Sequence, residues 1–334
     1  MPQGSVLGPL LFLLYVNDIP NISSKLIFYL FADDTNIYFE CDDLKLLEET
    51  MNYELRQLKV WLNVNRLALN VKKTNFVIFR TPNKPMNHNV TLKFGKKAIA
   101  QKDYIKYLGI NLDAHLNWKH HVTEISKKIS RSISIMYRIR HYVSLSVLKS
   151  VYYSLVYSHL VYAIEVWGSA CNTVLEKLFV LHRKTVRMMI FKDNYPAMPG
   201  PLNPSAPIFK YLHILKIEDI YKQQVLKFIY KWQNLSIPSN FNIFFVVNRN
   251  IHVHNSRSNT LLIMEKLNFN DMSILPRDTL HCQYSRLVNY GGKALKVIGP
   301  IMWNDLPDKI RALSSLCLFK RRVKSRLLDQ YCTA

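Results

Sequence analysis

Two adjacent carboxylates, Asp33 and Asp34, sit in the middle of the stretch KLIFYLFADDTNIYFE. Apolar, β-rich arms flank Ala-Asp-Asp-Thr-Asn, the pattern of a hairpin with the acidic pair at or beside its turn. Carboxylates on a stiff frame suit a hard divalent cation. Mg²⁺ prefers oxygen ligands and takes one or two protein carboxylates, the rest of its shell being water and substrate phosphates. A bare Asp-Asp pair is more commonly a solvated turn. Here the arms are too apolar for a surface ribbon, so one face is expected to be buried and the turn to project from a core. Nearer the start, Pro2-Gln3-Gly4-Ser5 precedes Gly8-Pro9. Pro2 fixes its φ, and Gly4 and Gly8 let the backbone approach another surface closely. Gln3 offers a donor and an acceptor, as a base edge requires, although taken alone the segment is an ordinary helix-entry loop.

These residues need elements to hold them. The run LLFLLYVND after Pro9 predicts a buried helix ended by Pro20. After the acidic hairpin, Asp42 or Asp43 is placed to cap a helix, with Leu44, Leu47, Met51, Leu55, Leu58 and Leu62 recurring at helical spacing. TNFVIF predicts a short strand, and KDYIKYLGINLD another strand or hairpin. After Trp118 the pattern turns helical and basic. Val122, Ile125, Ile129, Ile133 and Met136 form one apolar stripe, and Lys119, Lys127, Lys128, Arg131, Arg138 and Arg140 fill much of the rest. Residues 145–166 read as one buried helix, 173–191 as a basic helix, 196–209 as a Pro-rich linker and 210–233 as helical again. The close, WNDLPDKIRALSSLCLFKRRVKSRLLDQY, reads as a basic helix. His120-His121 is not expected to bind metal, since neighbouring side chains on a helix diverge.

The chain has 334 residues, of which 49% are hydrophobic and 20% charged, enough for a sizeable core and against a disordered tail. Its formal charge of +22 points to a polyanionic partner, nucleic acid ahead of acidic membrane. The charge is uneven: residues 1–116 hold 14 Lys/Arg and 11 Asp/Glu, whereas the rest hold 31 and 12. Five scattered cysteines without a C-x-x-C argue against a disulfide framework or a zinc knuckle. The uncharged first seventeen residues lack the basic region and cleavage site of a signal peptide. No apolar run is long enough to span a bilayer. A soluble intracellular protein, in nucleus or cytoplasm, not secreted and without a membrane partner, is expected.

The order of motifs is informative. PQGSVLGPLLF, FADD, LALNVKKTNFVIF and YLGINLD follow one another, with Gln3 to Asp33 spanning 30 residues, Asp33 to Lys73 40 and Lys73 to Gly109 36. This series resembles the central-to-late motifs of reverse transcriptases, and more narrowly those of non-LTR (LINE-type, jockey-like) retrotransposons. LNWKHHV, YAIEVWG and IGPIMWNDLPDKIRALSSLCLFKRRVKSRLL extend the resemblance toward the end of the chain. It implies an α+β fold: a partial right-hand polymerase palm, with a hairpin-containing antiparallel sheet and helices, over 1–116; a helical thumb over 117–195; the linker; and a basic C-terminal region over 210–334. It implies an RNA-directed DNA polymerase that uses two Mg²⁺ ions, an RNA template, a DNA primer and dNTP. Asp33 would ligate metal with Asp34 beside it, and Ala32 would lie near the primer terminus. Gln3 and Gly4 would line the nucleotide and template pocket. Tyr107, Leu108 and Gly109 would form the primer grip. Lys73 would be the proton donor to pyrophosphate, a position equally well read as a simple surface lysine. Lys127, Lys128, Arg131 and Arg138 would meet the nucleic-acid backbone, with Tyr152, Tyr153, Tyr157 and Trp167 assigned to the core.

One departure stands out. A two-metal polymerase draws carboxylates from two strands, and in this family the first lies upstream of the PQG loop, where here only Met1 precedes Pro2. Asp103 and Asp113, near the primer-grip segment, are no substitute. The expectation is therefore a truncated element without that strand, inactive alone and with an exposed edge or apolar face on the FADD hairpin. The competing readings are a non-catalytic nucleic-acid-binding remnant and a helical scaffold.

Overall fold

A computed structural model describes residues 5–83, 86–190, 205–245 and 295–332. Gln3, Gly4, part of the Pro-rich segment and most of 235–300 lie outside these residues. The chain divides into two compact units, Met1–Leu116 and Asn117–Ala334. The first mixes helices with small sheets and the described residues of the second are helical, so the architecture is α+β.

In the first unit, α1 (Leu7–Val16) leads through a 3₁₀ turn (Ile19–Ile22) to β1 (Ile27–Phe31) and β2 (Asp34–Tyr38), which pair antiparallel from Ile27↔Tyr38 to Phe31↔Asp34. Next comes α2 (Leu44–Val64), capped by Asp43, whose Oδ1 accepts from the Lys45 N–H at 2.9 Å. Then β3 (Asn75–Phe76) runs parallel to β6 (Ala100–Gln101). Two antiparallel pairs complete the unit: β4 (Lys93–Phe94) with β5 (Lys97–Ala98), and β7 (Tyr104–Tyr107) with β8 (Ile110–Asp113). Asn52 of α2 ties β4 in place, donating to the Thr91 carbonyl at 2.9 Å and accepting from the Lys93 N–H at 2.8 Å. The core is small: Val16, Ile19, Leu55, Leu58, Val90, Leu92 and Ile99 are buried, with Phe28, Leu30 and Ile37 packed against them.

The expectation of a buried α1 is corrected. The helix is apolar on every side, but only the Phe12–Val16 edge meets the core, and Leu7, Leu10, Leu13 and Leu14 are more than half exposed. One helix can set only one stripe against one core.

In the second unit, α3 (Lys119–Ile139) buries the stripe read from the sequence, Val122, Ile125, Ile129, Ile133 and Met136. The expected helix over 145–166 is broken. It consists of α4 (Leu145–Tyr152), a π-helical turn (Tyr153–Tyr157), α5 (Ser158–Val161) and α6 (Ile164–Trp167). The break before α6 lies at Tyr162-Ala163, where Ala163 is left-handed (φ 49°) and the Tyr162 carbonyl accepts from the Trp167 indole N–H at 2.8 Å. Gly168 follows because a Cβ there would lie 2.5 Å from the Tyr221 ring and 2.6 Å from the Ile164 carbonyl. Beyond it come α7 (Asn172–Met189), α8 (Ser205–Tyr211) and α9 (Ile217–Gln233). The single closing helix is also corrected. The expected segment, 303–331, takes in the last residues of α10 (Leu295–Asn304) and then two helices, α11 (Asp308–Arg311) and α12 (Leu316–Asp329), interrupted by Leu306-Pro307 and by the turn before Ser315. Buried Asp219 accepts a 2.6 Å bond from the Tyr331 hydroxyl, which itself accepts from the Lys216 N–H at 2.8 Å. This joins the start of α9 to the end of the described chain.

Candidate nucleotidyl-transfer and nucleic-acid site

The acidic hairpin closes through two residues, Ala32 and Asp33, between paired Phe31 and Asp34. Ala32 has φ 50°, a left-handed conformation that disfavours any Cβ. Strain of this kind is retained where the surroundings fix it, and it concentrates at functional turns. Directly opposed residues share a face of the ribbon. Phe28, Leu30 and Ile37 therefore turn toward the core, while Ile27, Tyr29, Phe31 and Asp34 turn outward. Asp33 and Asp34 are both solvent-exposed. Tyr29 and Phe31 are 56% and 60% exposed, so the tip carries its carboxylates above an uncovered aromatic strip. The turn projects from a core as the residues imply, and among the described residues β1 and β2 pair only with each other.

The second hairpin displays the other predicted tip. Leu108 and Gly109 join β7 to β8 with φ 43° and 83°. Positive φ at both central positions is the geometry whose twist matches that of the paired strands. Gly109 adopts it freely and Leu108 does so under strain.

Lys73 lies exposed in the turn before β3. Asn70 organises that turn: its carbonyl accepts from the Lys73 N–H at 3.0 Å, the Thr74 N–H at 3.1 Å and the Thr74 hydroxyl at 3.0 Å. Its side-chain oxygen also accepts from the Lys73 N–H at 3.3 Å. Asn70 was not singled out from the sequence, although the N-x-x-K-T spacing is that of a side chain closing its own turn. Among the described residues no ion pair or hydrogen bond joins Lys73 to Asp33 or Asp34. No group of three or more His, Cys, Asp or Glu side chains able to hold a metal occurs among them either. Asp103 and Asp113 stay with the second hairpin, where Asp113 is buried and accepts from the His115 N–H at 3.2 Å. Asp33 and Asp34 suit Mg²⁺ in donor chemistry but supply only part of a shell.

In the second unit, Lys127, Lys128, Arg131 and Arg138 all point to solvent from α3. Lys127 pairs with Glu124 at 3.1 Å. The Lys127 hydrogen bond, followed by the charges of Lys127, Lys128 and Arg131, holds the Glu124 carboxyl below its ordinary range, as expected in a positive field. His120 and His121 diverge: His120 is exposed, while His121 is buried edge-on against Trp167 with centroids 5.6 Å apart. Burial, helped by Lys128, lowers the His121 pKa to about 4.

The first unit thus carries paired carboxylates on a hairpin tip, and the second carries a cationic helical surface. Residues 1–112 match the family of reverse transcriptases (RNA-dependent DNA polymerases). Among curated proteins, the chain is 27% identical over 200 residues to a probable RNA-directed DNA polymerase from transposon X-element of Drosophila melanogaster, covering 57% of this chain and 21% of that protein. It is 27% identical over 199 residues to the RNA-directed DNA polymerase from mobile element jockey of the same species, covering 56% and 21%. A polyprotein from a type-1 retrotransposable element R1 of Nasonia vitripennis is 25% identical over 144 residues, covering 41% and 35%. No solved structure matches. Residues 1–112 are thus similar to reverse transcriptases, and the matched relatives are named as RNA-directed DNA polymerases of mobile elements. The chain spans only about a fifth of the length of the first two relatives. No helix among the described residues is long and apolar enough to cross a membrane.

Proposed function

We propose that this chain is the late palm and the thumb of an RNA-directed DNA polymerase, acting on a DNA primer paired to an RNA template with dNTP as substrate. The observation that carries the reading is the family match over 1–112 with Asp33-Asp34 standing at the tip of a strained hairpin. Asp33 and Asp34 would hold Mg²⁺, whose role is to neutralise and align the phosphates of the incoming nucleotide. Ala32, Gln3 and Gly4 would border the nucleotide and template. The Tyr107-Leu108-Gly109 turn would support the primer strand, its Gly109 allowing close backbone approach. Lys73 would face the departing pyrophosphate as proton donor. The α3 face would follow the A-form-like duplex through shape and phosphate contacts. A complete two-metal centre needs a carboxylate from a further strand. Among the described residues no third donor joins Asp33 and Asp34.

Iron-directed backbone cleavage tests the metal assignment. With Fe²⁺ replacing Mg²⁺ in the presence of primed template and dNTP, hydroxyl radicals should cut the chain around residues 31–36, and Asp33→Asn should abolish the cut. A chain cut elsewhere, or cut equally after the substitution, overturns the assignment. Lys127, Lys128, Arg131 and Arg138 replaced together by Ala should weaken duplex binding and lower its salt slope by roughly three to four.

A further inference from the structure

The outward side of α1 is apolar and exposed. Phe12 and Val16 stand one turn apart on the side that meets the core, so the helical period sets Leu7, Leu10 and Leu14 on the opposite side, flanked by Leu11 and Leu13. Exposure follows position: Val16 is 4% exposed, whereas Leu7, Leu10 and Leu14 are 62%, 54% and 66% exposed. Single exposed leucines are ordinary, but a contiguous face of them is not. From Val6 to Tyr15 the exposed apolar residues leave roughly 700 Å² open, more than the largest patch of about 300–600 Å² on a typical monomer. The helix is also held in place. Beyond the packing of Phe12 and Val16, the Tyr15 hydroxyl donates to the Asn65 carbonyl at the end of α2. A face fixed in this way needs little further ordering on association.

Three features select what covers it. The first is spacing. Leu7, Leu10, Leu11 and Leu14 are symmetric about the midpoint between positions 10 and 11. In an antiparallel pair of α1 helices with a twofold axis at that midpoint, Leu7 meets the partner's Leu14 and Leu10 meets the partner's Leu11. That reciprocity is the mark of an isologous interface. Positions i, i+3 and i+7 are also those that seam two helices together. The second feature is charge. At +22, two copies of the chain repel over most of their surface. Between Met1 and Ser24 the one charged side chain is Asp18, so two copies approach here with least repulsion. The same lack of Lys and Arg fits a lipid surface poorly, because helices that lie in a membrane interface carry cations on their polar face. The third is area. Two such faces offer about 1,400 Å² together, inside the ~1,200–2,000 Å² of a specific interface.

We propose that α1 is a self-association surface, through which two copies of this chain pair antiparallel about a twofold axis between Leu10 and Leu11.

Sedimentation velocity of the nuclease-treated full chain in ~0.5 M salt tests it, since these conditions remove bridging nucleic acid and screen like-charge repulsion. A monomer–dimer equilibrium is expected at about micromolar concentration, and it should tighten as salt rises, whereas bridging through phosphates would loosen. Leu7→Lys and Leu14→Glu should each raise the dimer Kd at least about a hundredfold, because every substitution enters the interface twice. Combined in one chain, the two should recover most of that loss, because antiparallel pairing sets each introduced cation against an introduced anion. Leu235→Lys, at an 86% exposed leucine of the second unit, should leave Kd unaltered. Below the Kd, each single variant should melt at the temperature of the unaltered chain, which separates lost pairing from lost folding. A chain that stays monomeric to ~50 µM, open-ended association, a dimer indifferent to the single substitutions, or no recovery in the combined variant would overturn the proposal. Flotation of a monomeric chain with phosphatidylcholine vesicles, lost on Leu14→Glu, would overturn it in favour of a lipid contact.

Discussion

Acid should unfold the second unit through histidines that have no room for a proton. His182 of α7 is 2% exposed. Its ring stacks on Tyr152 at 5.8 Å, meets Phe209 edge-on at 4.9 Å, and shares a 2.8 Å hydrogen bond with the Tyr152 hydroxyl. Burial alone lowers its pKa to about 3. In the unfolded chain the same ring takes up a proton near pH 6.5. Below that pH the unfolded state binds a proton that the folded state refuses, so stability falls as pH falls. The loss begins near 6.5 and levels off near 3 for His182, with a limiting slope of about 1.4 kcal/mol per pH unit. At about pH 5 it amounts to ~2 kcal/mol for His182. His121, lowered to about 4, contributes a similar amount by the same reasoning. Together these approach ~4 kcal/mol, a large part of the 5–15 kcal/mol that holds a typical domain. Urea unfolding at about pH 7 and pH 5, followed by tryptophan fluorescence, measures the loss. Replacing His182 by Gln keeps a polar partner for Tyr152 and removes one titrating group, so the pH-dependent loss should fall by about half whatever the substitution costs at neutral pH. A His182→Gln chain as acid-sensitive as the unaltered one would refute the reasoning.

Other outcomes can be checked alongside. Leu108→Asn places a residue that tolerates positive φ in the two-residue turn and should stabilise the first unit by ~1 kcal/mol in urea unfolding. Asn70→Ala removes the side-chain acceptor that fixes the Lys73 turn and should cost ~1 kcal/mol, with faster amide exchange at Lys73. Gly168→Ala forces a Cβ against the Tyr221 ring and the Ile164 carbonyl and should lower stability by about 1–3 kcal/mol, read from the melting temperature. Asp43→Ala should cost ~1 kcal/mol of α2 capping, seen as lost helicity by circular dichroism.

Much of the local structure around the candidate site was legible in the sequence because its signals are local. Alternation around Asp33-Asp34 predicts a hairpin with the pair at or beside its turn, and KDYIKYLGINLD reads as a strand or hairpin, which the structure resolves as a hairpin. Asp42 or Asp43 is placed to cap α2, the structure using Asp43, and the α3 stripe follows from the helical period. The order of four short motifs carries the resemblance to reverse transcriptases, which the match over residues 1–112 supports. These features depend on residues a few positions apart, where backbone sterics and side-chain spacing leave few alternatives.

What the period cannot report is the partner. The apolar run of α1 reads as buried, yet only its Phe12–Val16 edge finds a core, because burial depends on what lies opposite and not on the helix itself. The 145–166 pattern is helical throughout, but the segment contains a π turn and a left-handed Ala163 and packs against α3, α7 and α9, partners that its period cannot name. Adjacent Tyr152 and Tyr153 look alike in sequence, and packing sends one into the core and leaves the other at the surface. The plainest case is a pair of cations. Lys227 and Lys320 are widely separated along the chain and each reads as an ordinary solvated cation. Lys227 of α9 feels the charge of Lys320 only because α9 and α12 fold against each other, the Tyr230 and Phe319 rings 4.4 Å apart between them.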